Sequence, residues 1–150
     1  MSWDVLLHAA DEPPPPVAEM PENWRGKNLG TLSEVRAKID ACIAKVDWSD
    51  PTWGIFDGDG FSYEFNTGSD EPCDSVMVHV RGGGSAVAPL LVLGQRWNWY
   101  LLDTSQGEWL HHTKSSNAGW QDFQAFRDKA IPQIGGSPTR IAEKRWWRFW

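Results

Sequence analysis

The sequence predicts an α+β fold, a split β-α-β-β-α-β sandwich with one mostly antiparallel sheet, helices on one face and a C-terminal helical extension. Three observations predict it. Residues 61–66 and 76–81 alternate apolar and polar side chains with the two-residue period of half-buried strands. A capping pattern opens an apolar run at helical spacing from residue 32. A second helical run, 86–97, then separates the 76–81 strand from an aromatic strand at 99–104.

In chain order, Trp3 to His8 forms a short first strand. It is ended by Asp11, Glu12 and the prolines Pro13 to Pro16, which lack ladder donors. Four successive prolines make a stiff connector within a loop over residues 11–30. Thr31 and Glu34 form a capping box ahead of Leu32, Val35, Ile39, Cys42, Ile43 and Val46, which predicts a helix over 32–46, terminated by Asp47 to Pro51. Segments 53–56 and 61–66 flank Asp57-Gly58-Asp59-Gly60, and Asp-Gly pairs supply the positive φ that a tight hairpin requires. The 76–81 strand leads through Gly82-Gly83-Gly84-Ser85 into the second helix, whose Pro89 suits a first turn. After the 99–104 strand, Gln106-Gly107 makes a turn, and residues 108–111 either continue or pair back. An alternative arrangement runs the 61–66 and 76–81 strands into a hairpin meander. These elements make a core domain over 1–112. Residues 113–150 form an extension packed on or beside it, with a third helix from Trp120 to about Ile131 and a break at Gly135 to Pro138.

Composition narrows the function. The longest apolar stretch, Ala86 to Gly94, is about half the roughly 20 residues needed to cross a bilayer. The first residues lack a basic n-region and a small-residue cleavage site, so a cytoplasmic location is expected. Residues 1–75 carry 15 acids and 5 bases, whereas residues 76–150 carry 5 acids and 9 bases. An acidic half argues against duplex nucleic acid and suits a basic protein partner.

No residue set predicts catalysis, a metal or a cofactor. Cys42 and Cys73 lack zinc-type spacing, and the Asp57 to Gly60 run has no acid at the twelfth position of a calcium loop. His111 and His112 are adjacent, so on a strand they point to opposite faces. A weak anion-binding candidate is Arg81-Gly82-Gly83-Gly84-Ser85, a glycine-rich turn before a helix that lacks the phosphate-loop lysine. Lys144-Arg145-Trp146-Trp147-Arg148-Phe149-Trp150 concentrates the side chains that dominate binding hot spots. Arg145, Trp146, Trp147, Arg148 and Trp150, with the acidic hairpin residues Asp57 and Asp59, are the expected partner-binding residues. The same tail suits a membrane surface as an alternative. Trp3, Trp48, Trp53, Trp97, Trp99 and Trp109 are expected in or near the core. Trp24 and Trp120 stand at loop edges.

Four segments together carry a resemblance: Trp3 to Leu7, Trp48 to Gly54, Gly58 to Asn66 and Val78 to Gly84. Over residues 3–110 the chain resembles a family of small uncharacterised bacterial proteins similar to the immunity proteins of polymorphic and contact-dependent toxin systems. The loop at 11–30 and the residues after Leu110 depart from that pattern. The resemblance implies a cognate toxin as partner, bound directly and without catalysis, and it implies no catalytic residues.

Overall fold

A computed structural model describes residues 2–24, 26–110 and 120. The elements are β1 (Trp3–Ala9), α1 (Leu32–Cys42), β2 (Asp47–Asp50), β3 (Trp53–Asp57), β4 (Phe61–Asn66), β5 (Val76–Gly82), α2 (Val87–Trp97), β6 (Trp99–Asp103) and β7 (Glu108–Trp109). The strands form a seven-stranded sheet in the order β2-β3-β4-β5-β1-β6-β7, each pair antiparallel. The described residues are therefore α+β, with an antiparallel sheet and the α-helices α1 and α2, as the periodicities predict.

Register decides what each face of the sheet carries. Trp3 lies opposite Val80, Val5 opposite Val78 and Leu7 opposite Val76, while Tyr63 and Phe65 continue those rows on β4. All of these side chains are buried. Val35 and Ile39 of α1 and Leu90 and Leu93 of α2 complete the same cluster, and the two helices touch each other. Full burial of each such side chain is worth about 1.5–3 kcal/mol. Trp120 joins this core: it is 5.5 Å from Trp3, and its Nε1 donates to the Gly84 carbonyl.

Two local features close the helical layer. Thr31 accepts from the Glu34 amide and Glu34 accepts from the Thr31 amide, forming the expected capping box. At the end of α2, Asn98 takes the left-handed conformation at φ 58° and reverses the chain into β6.

The first helix is shorter than its apolar spacing predicts. It ends at Cys42, and Lys45 turns the chain through φ 65°. Ile43 still reaches the core, but from extended backbone. Asp47 to Asp50, expected only to terminate the helix, forms edge strand β2. Its Trp48 ring fills the space over Gly54, where an added Cβ would lie 2.6 Å from the indole. Residues 108–109 pair back on β6, and β3, β4 and β5 follow one another as a meander.

The 11–30 connector is tied down near its C-terminal end and at its proline run. Lys27 donates its amide to the Ala9 carbonyl, and Leu29 donates to the Cys73 carbonyl. Nearer its start the Pro15 carbonyl accepts from Trp109 Nε1. Trp24 and Trp109 pack with His8, at 6.0 and 5.9 Å from its ring. The proline run thus crosses the β6–β7 side of the sheet, on the face away from the helices.

Candidate functional site

The strand residues out of phase with the core share the second face of the sheet, opposite the face that α1 and α2 cover. One row across the strands reads Ile55, Glu64, His79 and Asp4, and the next reads Asp57, Ser62 and Arg81. Pleating alone places these side chains together, because alternate residues of each strand point the same way.

Within the rows the contacts are specific. His79 Nδ1 lies 2.8 Å from Asp4 Oδ1, and because a carboxylate only accepts, the ring nitrogen is the donor. Ser2 Oγ also donates to Asp4 Oδ1, at 2.5 Å. The Asp4 backbone carbonyl accepts from the Thr104 hydroxyl and amide, which fixes the strand beneath the pair. Trp53 leans from β3 across β4 and stacks on His79, with ring centroids 5.6 Å apart and planes 23° apart. Beside them the Arg81 guanidinium donates to Glu64. Burial pushes the Arg81 guanidinium down from its ordinary value, and Asp4 opposes that shift. Arg81 Nε is buried without a hydrogen-bond partner. At the rim, Ile55 stays 43% exposed.

This arrangement orients an imidazole and holds an indole beside carboxylates. Three acids, Asp4, Asp57 and Glu64, face one arginine that already has its carboxylate. Residues 1–110 as a whole carry 17 acids and 7 bases. The face therefore favours cationic groups and disfavours phosphates. Among the described residues, no group of three or more His, Cys, Asp or Glu side chains is placed to hold a metal. Burial pushes the Cys73 thiol up, and its Sγ contacts the carbonyls of Thr67 and Ser75. It is thus in the protonated, weakly nucleophilic form.

The candidates from sequence fall in three places. Asp57 ends β3 and Asp59 stands in the hairpin turn; both are exposed, and only Asp57 joins the rows above. Arg81 lies on the second face, while Gly82 to Ser85 lead away from it into α2. In that turn the Gly83 amide donates to the Gly60 carbonyl at 2.8 Å, so it is occupied by the neighbouring hairpin. Gly82 and Gly84 have φ of 96° and 78°, the left-handed region that glycine tolerates. Arg145, Trp146, Trp147, Arg148 and Trp150 lie outside the described residues, as do His111 and His112.

Sequence reasoning missed Asp4, Glu64 and His79, and it assigned Trp53 to the core, whereas the structure places it half-exposed on the second face. The signal was present as polar residues in phase on three strands. Alternation shows that such residues share a side of their own strand, but not which strands neighbour one another.

No family model, curated protein or solved structure matches the chain.

Proposed function

We propose that this chain is a non-catalytic protein-binding protein of the immunity type, which neutralises a cognate bacterial toxin by direct binding. The observation that carries this reading is the second face of the sheet, where Trp53 and exposed Ile55 stand among carboxylates on the side opposite α1 and α2. Aromatic anchors set in a charged rim are the usual anatomy of a binding hot spot. The acid excess of residues 1–110 would steer a basic partner toward it. The basic, tryptophan-rich residues 144–150 offer a second contact region, and a cytoplasmic setting accompanies this reading. In fold terms, β4-β5-β1-β6 with α1 and α2 as crossovers support a split β-α-β-β-α-β core, extended by β2 and β3 at one edge and β7 at the other.

Affinity capture from the native host with the full chain is the test. One dominant protein partner with nanomolar-scale affinity is expected, and Ile55→Arg should weaken its capture by at least about tenfold. No partner at adequate expression, or equal capture by the variant, counts against this face as the binding surface.

A second reading is acid–base catalysis, and the contact that favours it is Asp4 to His79. A carboxylate that fixes Nδ1–H leaves Nε2 as the basic nitrogen, as in a general base. An anionic substrate at Gly82 to Ser85 has less support, because the Gly83 amide is occupied. A membrane-surface role through residues 144–150 is separated by liposome flotation of the full chain against a truncation at Ile141.

A further inference from the structure

We propose that the aromatic cluster of His8, Trp24 and Trp109 is a recognition site for a polyproline-II segment of another protein, occupied in cis by this chain's own residues 13–16. The cluster stands at the β6–β7 side of the sheet, apart from Trp53 and Ile55, and goes beyond the function proposed for that surface.

The seated prolines show what the cluster takes. Pro16 has φ −51° and ψ 143°, in the polyproline-II region. Three residues per turn put Pro13 and Pro16 on one side of such a segment; both are exposed, while Pro14 and Pro15 are half-buried. A polyproline-II segment has no internal hydrogen bonds, so its carbonyls are left to outside donors. The Trp109 indole, which can only donate, supplies one: its Nε1 lies 3.0 Å from the Pro15 carbonyl oxygen. The ring is held for that task. His8 and Trp24 lie 5.9 and 6.2 Å from it and 6.0 Å from each other, and all three contacts are edge-on. Grooves lined by aromatic rings are the general means of binding proline-rich segments, because the ligand is already extended and loses little entropy on docking.

The prolines are seated independently of the base of their loop. At the base the Lys27 amide donates to the Ala9 carbonyl, and Lys27 Nζ lies 2.8 Å from Asp11 Oδ1. Gly26 permits that closure, since a Cβ there would lie 2.5 Å from the Ala9 carbonyl oxygen and 3.4 Å from the Trp24 ring. His8 belongs to β1 and Trp109 to β7, and Trp24 stands beside the base. Residues 13–16 are therefore free to leave while the three rings stay together. While they are seated, the short tether holds them at an effective concentration of about millimolar, against which an outside segment must compete.

Titration of the ¹⁵N-labelled full chain with acetyl-hexaproline-amide tests the proposal, with a glycine–serine hexapeptide as control. The comparison is between the wild type and a variant carrying Pro13→Gly, Pro14→Ser, Pro15→Gly and Pro16→Ser. In the variant the Trp109 indole N–H signal should move from its wild-type position, and hexaproline should return it saturably. Binding should be roughly tenfold tighter than to the wild type, whose own prolines compete. The glycine–serine peptide should leave the signal in place, and Ile55→Arg should leave the titration unchanged. Should the fourfold variant not fold, Pro15→Ala carries the same comparison, with tighter binding than wild type expected and equal binding overturning the proposal. A folded variant whose indole signal ignores hexaproline, or responds equally to both peptides, would also overturn it. So would a wild type that dimerises with concentration while the variant stays monomeric, because the occupant would then be the proline run of a second copy.

Discussion

At the scale of single residues, His8 shows how burial fixes a charge state. Its ring packs edge-on against those of Trp24 and Trp109, and burial pushes its pKa down from the ordinary imidazole value. A lowered folded value means that the native state holds the neutral ring while the unfolded chain takes up a proton at about pH 6.5. The stabilisation from neutral His8 is thus fully present above that pH. It is lost progressively as pH falls through the folded value. Urea midpoints at pH 7.5 and pH 5.0 should therefore separate further in the wild type than in His8→Gln. An identical separation in the two proteins would show that the His8 environment does not couple to folding. Asp4 and His79 make the complementary case, since their contact is one of pairing across strands. Neither residue announces it in sequence, because their partners are 75 positions apart.

At the scale of elements, close approach outweighs propensity at Gly94. Alanine is the better helix former by about 0.8–1.0 kcal/mol. A Cβ at this position, however, would lie 2.5 Å from Leu101 Cδ1 and 2.8 Å from the Trp99 carbonyl oxygen. The carbonyl belongs to β6 backbone and cannot rotate away, so α2 would have to lift from the sheet. Overpacking of this kind costs about 1–3 kcal/mol. Gly94→Ala should therefore lower stability by roughly 1–2 kcal/mol in chemical denaturation, and a stabilised variant would show that the helix shifts freely. Legibility of elements followed the same division between local and non-local causes. The capping box at Thr31 and the alternation of Phe61 to Asn66 are local, and both elements form as predicted. Strand β2 was hidden because its residues, mostly exposed on both sides, show no apolar alternation. The early end of α1 was hidden because Ile43 and Val46 keep helical spacing while packing on the core from beyond the helix end. The candidate site was less legible than the fold: its residue types are plain in the strands, but the register that joins β1, β3, β4 and β5 is a tertiary property.

At the scale of the whole molecule, charge is distributed along the chain as well as across its surface. Residues 1–110 have a net charge of −10, and residues 111–150 have a net charge of +4. The exposed acids include Asp47 and Asp50 on β2, Asp57 and Asp59 at the hairpin, and Asp70, Glu71 and Asp74 before β5. Hydrogen bonds from Ser49 and Thr52 hold the Asp47 and Asp50 carboxyls below the usual carboxylate range, so that edge keeps its charge in mildly acidic solution. Such a field acts mainly on encounter. It accelerates the approach of a cationic partner, and salt screens it as the Debye length shrinks from about 30 Å at 0.01 M to about 8 Å at 0.15 M. For the captured partner, the association rate constant should fall by about tenfold or more across that range, with little change in dissociation. The indole and Ile55 contacts are short-ranged and should govern dissociation instead, so Ile55→Arg should speed release at both salt concentrations. An association rate insensitive to salt would mean that the acidic surface does not face the partner during approach, and the binding surface would have to be sought among the helices.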